Sequence, residues 1–304
     1  MTQLQLFAVE DAGPRPLAVP PDATQFADLY HGLPLGVYDA LRTFEHNKFL
    51  YLSRHLARTE RSMALLGWTY TLDRARLLRA LHSIVTAAEW PEMRVRIDVL
   101  AAAATAGPAE ALGTTSRELI AIQSFTPPPA ALYMEGVAVD FAVGVARNQP
   151  LAKTAEFAAR RPAGAGLAQL ENRPQTTDGG PQTDPYEYLL LDDGGRILEG
   201  AGTNFWAVRD GVVYTAGDQI LEGVTREILL KLIPELGIPL RLEAVSRQDI
   251  GSLDEAALSG SSRAFLPVVA VAGQPVGEGR PGPISGRILA AYNAFVAEHI
   301  RPAI

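Results

Sequence analysis

Leu189-Leu-Leu-Asp-Asp-Gly-Gly-Arg-Ile-Leu-Glu-Gly200 reads as strand, turn, strand: an apolar run, the turn Asp192-Asp-Gly-Gly195, and a second run from Arg196 to Glu199. The pattern continues on both sides. Tyr186 to Leu191 leads in; Thr203-Asn-Phe-Trp-Ala-Val208, the turn Arg209-Asp-Gly211 and Val212-Val-Tyr-Thr215 lead out, so the stretch is predicted to be a meander with glycine at its corners. Downstream, Gly223-Val-Thr225 opens a helix from Thr225 to Leu236, apolar at Ile228, Leu229, Leu232, Ile233 and Leu236 and stopped by Gly237-Ile-Pro239. A turn, Leu258-Ser-Gly-Ser-Ser262, precedes the run Phe265-Leu-Pro-Val-Val269, and a helix from Ser285 to Ile300 closes the chain.

Upstream of the meander lies a strand-like run, Val137 to Val143, and before it Thr126-Pro-Pro-Pro-Ala-Ala. Three prolines impose an extended connector with few backbone donors. The domain junction is placed there: residues 1–126 form a small N-terminal unit, 127–135 a linker and 136–304 a larger unit rich in antiparallel strands, an α/β (α+β) architecture. In the small unit a strand from Leu4 to Val9 is followed by a Pro-rich loop to Pro21, and Leu35 to Phe44 is predicted to form a hairpin with Phe49 to Leu52. Helical spacing follows from Arg54 to Leu66 and from Leu72 to Ala88. Met93 to Leu100 alternates with period two, placing Arg94 and Arg96 on one strand face, and Ser116 to Gln123 is a further strand. Pro162 to Pro185, rich in Ala, Gly, Pro and Gln, reads as a loop or lid.

Composition narrows the function classes. Of 304 residues 47% are hydrophobic and 20% charged, a globular balance, and the net charge of −7 argues against a nucleic-acid or anionic-membrane partner. With no cysteine there is no disulfide framework, thiolate metal site or cysteine nucleophile. No basic leader precedes a long apolar run, and no stretch approaches the ~20 apolar residues a bilayer span requires, so the expectation is a cytoplasmic protein.

One residue stands out against this background. Only three of the 27 basic residues are lysines. Lys48 lies in the polar turn Glu45 to Lys48, and Lys231 follows Glu227 by four residues on a helix, which suits a surface ion pair. Lys153, in Gly144-Val-Ala-Arg-Asn-Gln-Pro-Leu-Ala-Lys153-Thr-Ala-Glu-Phe157, has no such surface role. An amine, unlike a guanidinium, can lose its proton on desolvation and attack a carbonyl. Gly223-Val-Thr225 and Ser259-Gly-Ser-Ser262 are candidate anion seats, the first because a helix start presents free amides. The arginine stripe Arg54, Arg58, Arg61 is, taken alone, a solvated helix face.

The order of these pieces resembles the class IV, fold-type IV, pyridoxal-phosphate-dependent aminotransferases, a family that includes branched-chain and D-amino acid aminotransferases and aminodeoxychorismate lyase. The resemblance runs from about Gly36 to Gly277. It rests on Gly36-Val-Tyr-Asp-Ala-Leu-Arg-Thr43 with His55-Leu-Ala-Arg58, on Leu189 to Gly200 with Asn204-Phe, on Ile220-Leu-Glu-Gly-Val-Thr-Arg226, and on Ser259-Gly-Ser-Ser262 with Pro267-Val. It implies pyridoxal 5'-phosphate as cofactor. Lys153 matches the lysine that bonds the cofactor aldehyde and moves the proton at the substrate Cα, and Glu199 matches the carboxylate on the pyridine nitrogen. Arg58, the amides of Val224 and Thr225, and Ser261 with Ser262 match the phosphate cup and the turn beside it. Tyr38, Arg42, Arg94 and Arg96 fall on the substrate side, Arg96 and Arg42 as the favoured carboxylate partners.

The implied reaction is ping-pong transamination between an amino acid and a 2-oxo acid, with branched-chain substrates and the glutamate/2-oxoglutarate pair as candidates, in a homodimer. Rival readings are a lyase of the aminodeoxychorismate type, a D-amino acid or amine transaminase, and a cofactor-free binding protein. The chain departs from the family at Glu156 and Phe157, where Asn-Tyr is usual, at Arg263, where small residues are usual, and in the 46 residues separating Lys153 from Glu199.

Overall fold

The computed structural model describes residues 4–30, 32–103, 113–162, 164, 166 and 185–304. The first sheet has five antiparallel strands in the order β2-β1-β6-β5-β3: β1 (Leu4–Glu10), β2 (Gly13–Leu17), β3 (Val37–Arg42), β5 (Met93–Val99) and β6 (Glu118–Ser124). Helices α1 (Leu52–Leu65) and α2 (Arg74–Ala87) cover one face, where Val37, Leu41, Met93, Val95, Ile97, Val99, Ile120 and Ile122 pack with Leu56, Met63, Leu77 and Leu81. The other face is mixed: Leu4, Leu6, Ala8, Leu119 and Ala121 pack there with Leu17, Phe26, Leu29 and Tyr30, and the polar residues gather on β3 and β5. In β5, buried along its whole length, Arg94, Arg96 and Asp98 alternate with the apolar residues, as period two requires.

Two expectations for this part are corrected. The stretch predicted as a Pro-rich loop contains β2, an edge strand, where Pro14 and Pro16 are tolerated because an edge leaves one row of backbone groups unpaired. The hairpin predicted from Leu35 to Leu52 is reduced to a single Phe44–Lys48 bridge. Instead β3 pairs with β5, and β4 (Lys48–Leu50) pairs with β16 (Ile300–Pro302) at the far end of the chain. Glu45 and His46 both take positive φ, which turns the chain away from β3 rather than back along it.

The second sheet has nine strands: β7 (Val137–Phe141), β8 (Tyr188–Leu191), β9 (Ile197–Gly200), β10 (Asn204–Arg209), β11 (Val212–Tyr214), β12 (Leu240–Arg241), β13 (Glu255–Gly260), β14 (Ala264–Val271) and β15 (Gln274–Pro275). The meander is present from β8 to β11, but β9 and β10 share only the Glu199–Asn204 pair. The other partner of β10 is β13, and β7 runs parallel to both β14 and β8. The path β10-β13-β14-β7-β8-β9 thereby closes on itself at Glu199 and Asn204. Short helices α3 (Ala130–Glu135) and α4 (Ala155–Arg160) flank β7, while α5 (Val224–Glu235) and α6 (Pro283–His299) pack through Ile228, Leu229, Ile233, Ile288 and Tyr292 onto Trp206, Val208 and Phe265. No described helix is long and apolar enough to cross a membrane. Most of the stretch predicted as a lid, 162–185, lies outside the described residues.

Candidate active site

A cavity of about 200 Å³ opens between the first sheet and the closed end of the second. Lys153 lines it from the residue just before α4, whose N-cap is Thr154. The segment is held by the first sheet: Tyr38 N–H donates to the Lys153 carbonyl at 3.0 Å and Ala155 N–H to the Gly36 carbonyl at 2.8 Å. Ser62 on α1 accepts from the Lys153 amide at 3.1 Å. The side chain is half-buried, with Nζ 4.8 Å from the centre of the Tyr38 ring. Desolvation pulls the amine down to about 8, Tyr38 opposing and Arg58 assisting.

Glu199 ends β9 and is 2% exposed. Oε2 accepts from the Leu221 amide at 3.2 Å and from Asn204 Nδ2 at 3.4 Å, while Oε1 lies 2.6 Å from Arg147 Nε in an ion pair off the hydrogen-bond axis. Burial raises this carboxyl to about 7 against the pull of Arg147. Arg58 also reaches the cavity. Its guanidinium forms a two-pronged pair with Asp39, both bonds 2.8 Å, and His55 Nδ1 lies 2.7 Å from the same carboxylate. Asp39 alternates with Tyr38 and Ala40 on β3, so those two face the cavity while Asp39 faces α1. Burial alone would raise the Asp39 carboxyl, but Arg58 and His55 hold it well below the usual range.

The two small-residue turns meet on the same wall. Val224 and Thr225, the first residues of α5, line the cavity behind Gly223, an N-cap that supplies no side-chain acceptor. Ser261 and Ser262, in the turn between β13 and β14, lie beside them. The helix amides, a buried guanidinium and two hydroxyls suit a phosphate dianion, and a desolvated amine beside a buried carboxylate suits an aldehyde on a basic ring. The donor set therefore fits pyridoxal phosphate.

Tyr38, Arg94 and Arg96 line the cavity as well. Arg96 forks onto Asp98 and lies over Tyr30 at 4.1 Å and Tyr38 at 4.3 Å, and Arg94 lies over Phe26 at 5.2 Å. Burial would raise the Tyr38 phenol, yet Lys153, Arg161, Arg96 and Arg147 around it bring it down to about 7. Arg42 is not among the cavity residues. It shares the face of Tyr38 but sits roughly 13 Å further along the strand at ~3.3 Å per residue. There it pairs with Glu92 and stacks on Phe44 and Phe125.

The departures from the family pattern have local explanations. Glu156 points to solvent and pairs loosely with Arg160, 3.9 Å away, so it adds no charge to the cavity. Phe157 is buried under Arg147, 4.0 Å from the ring centre. Arg263 is buried on Glu187 at 2.7 Å. Glu227 pairs with Arg54 at 3.4 Å instead of with Lys231, which follows it on α5. Asp39, Arg147, Arg161 and Glu187 escaped the sequence reading, because each acts through a residue distant in the chain. The local hints were Asp39, inside the quoted motif and next to Tyr38, and Arg147, inside the quoted stretch that leads to Lys153.

Comparison with known proteins identifies the family and the fold. The model of the family described as amino-transferase class IV matches residues 36–271. The branched-chain-amino-acid aminotransferase of Escherichia coli (strain K12) is 43% identical over 108 residues, 35% of each chain. The D-alanine aminotransferase of Staphylococcus aureus (strain COL) is 31% identical over 108 residues, 35% of this chain and 38% of that protein. These matches thus span little more than a third of the relatives' own length. Among solved structures, a T.th. branched-chain amino acid aminotransferase with pyridoxamine 5'-phosphate has a TM-score of 0.73 at 20% identity, covering 99% of this chain and 98% of that one. The branched-chain aminotransferase of Thermoproteus uzoniensis with norvaline has a TM-score of 0.68 at 22% identity, covering 100% and 99%. At these identities the likeness establishes the shared fold.

Proposed function

The chain belongs to the class IV aminotransferases, and from that premise we propose that it moves an amino group between an amino acid and a 2-oxo acid with pyridoxal 5'-phosphate as cofactor. The observation that carries the reading is Lys153: a half-buried amine, held down to about 8, in one cavity with Glu199, Arg58, the start of α5 and the Ser261–Ser262 turn. When bound, the cofactor supplies an aldehyde that takes the amino group and a ring that delocalises the electron pair left at the substrate Cα.

The chain's own residues supply the rest. Lys153 Nζ, unprotonated in part at neutral pH, is the nucleophile toward the aldehyde and afterwards the base that takes and returns the Cα proton. Glu199 holds a proton at the ring nitrogen, and Asn204 with Leu221 N–H keep its carboxylate oriented. Arg58, fixed by Asp39, and the α5 amides anchor the phosphate. Tyr38, Arg94 and Arg96 face the substrate. The chain is further read as a cytoplasmic homodimer of two-unit protomers, residues 1–126 and 136–304 joined by 127–135.

Purified protein is expected to be yellow with pyridoxal phosphate and to bleach on borohydride reduction, with the label on Lys153. A protein that takes up no cofactor overturns the reading. A panel of L- and D-amino acids, amines and aminodeoxychorismate, scored for pyridoxamine phosphate against pyruvate release, separates transaminase from lyase and assigns the hand. The relatives include both branched-chain and D-alanine aminotransferases, so branched-chain L-amino acids and D-alanine head that panel.

A further inference from the structure

Six arginines line the cavity: Arg58, Arg94, Arg96, Arg147, Arg161 and Arg263. Four of them are neutralised by carboxylates, Arg58 by Asp39 at 2.8 Å, Arg96 by Asp98 at 2.7 Å, Arg147 by Glu199 at 2.6 Å and Arg263 by Glu187 at 2.7 Å. Arg94 lies against Phe26. Arg161 is arranged differently. Its Nη1 donates to the neutral carbonyl of Ala201 at 3.2 Å, and its buried Nε has no hydrogen-bond partner among the described residues. No described carboxylate pairs with it, since Glu199 and Glu187, the two acids that line the cavity, are taken by Arg147 and Arg263.

The backbone is shaped to let this guanidinium in. It lies over Gly202, where an added Cβ would stand 2.8 Å from Nη1. Arg161 lines the same cavity as Tyr38 and Lys153, and its positive charge is among those that bring the Tyr38 phenol down. A half-buried guanidinium whose buried Nε has no hydrogen-bond partner among the described residues, in a cavity whose carboxylates are taken by other arginines, keeps a donor for an anion.

We propose that Arg161 seats a carboxylate of the substrate, so that amino and oxo acids are taken in preference to plain amines. This assignment rests on the aminotransferase reading above. The carboxylate could be the one on Cα, common to all amino acids, or the distal one of a dicarboxylate, and both present the same planar acceptor to the guanidinium. Position eight residues after Lys153 explains the placement: α4 ends at Arg160, and its C-cap Arg161 turns to extended backbone, with φ −63° and ψ 146°.

The test uses protein loaded with pyridoxal phosphate and titrates two unreactive acids by calorimetry, 4-methylvalerate with one carboxylate and glutarate with two. Arg161→Gln keeps a donor for the Ala201 carbonyl and removes the charge; the expected loss of affinity is roughly 10- to 100-fold, the range for one hydrogen bond to a charged group. Equal losses for both acids assign the carboxylate on Cα, and a loss confined to glutarate assigns the distal one. The ratio of kcat/KM for an amino acid over that for a simple primary amine falls in parallel. Arg161→Lys, which keeps the charge, recovers part of the affinity. Unchanged binding in Arg161→Gln, or equal losses in the Gln and Lys forms, overturns the proposal by leaving Arg161 only its bond to Ala201. Failure of the unsubstituted protein to take up pyridoxal phosphate defeats the aminotransferase reading instead, a distinguishable outcome.

Discussion

Lys153 and Glu199 are each driven toward their neutral forms by burial, the amine down to about 8 and the carboxyl up to about 7. Only the unprotonated amine attacks an aldehyde, so cofactor capture by the free protein is expected to rise about tenfold per pH unit below pH 8 and to level off above it, as read by stopped-flow absorbance. Glu199→Gln is expected to lower kcat by about 10²-fold or more while borohydride still labels Lys153, because the ring-nitrogen proton and not the covalent anchor is lost. At Asp39 the effect falls on stability. Asp39→Asn leaves Arg58 buried without its carboxylate, and urea titration is expected to show a loss of about 3–5 kcal/mol. The Asp39 carboxyl is held below its ordinary value, so its contribution is present above about pH 4 and is lost as the pH falls through the depressed value. At this scale the sequence was legible where a residue carries its own signal. Lys153 was a lone amine in an arginine-rich chain, whereas Arg58 read as surface from its helical spacing and was picked out only through the family resemblance.

The start of α5 joins the wall proposed to hold the phosphate to the wall that carries Glu199. Asn204, on β10, donates to the Leu221 carbonyl at 2.9 Å and reaches Glu199, while an added Cβ on Gly223 would stand 2.3 Å from Asn204 Oδ1. Gly223 has an ordinary φ of −69°, so its smallness rather than its flexibility is required. Gly223→Ala is therefore expected to cost about 1–3 kcal/mol by overpacking and to weaken cofactor affinity, measured by thermal melting with and without pyridoxal phosphate. Elements with strong local signals were read close to their observed bounds: α2, α5, α6, β5 and the β8–β11 meander. β2 was hidden by its prolines. The pairing of β3 with β5 was hidden because turn residues at Glu45 to Lys48 looked like a hairpin, and pairing partners across fifty residues leave no local mark.

Across the whole molecule, chain order and spatial order diverge. The last strand, Ile300–Pro302, pairs with Lys48–Leu50, and Tyr51 meets Phe295 and His299 edge-on at 5.6 and 5.9 Å. Removing residues 300–304 is expected to lower the melting temperature by several degrees, at ~0.2–1 kcal/mol per lost cross-strand pair. By itself the sequence determined the kinds and order of the elements, through apolar period, turn residues and proline. It also singled out Lys153 and the two small-residue turns, because amine and glycine chemistry is written in residue type, while Glu199 entered only through the family resemblance. Only the tertiary structure decided which arginines are spent and which is available. Neutralisation depends on a carboxylate from another strand coming within 3 Å of the guanidinium, as Asp39 does for Arg58 and Glu187 for Arg263, and no described carboxylate does so for Arg161.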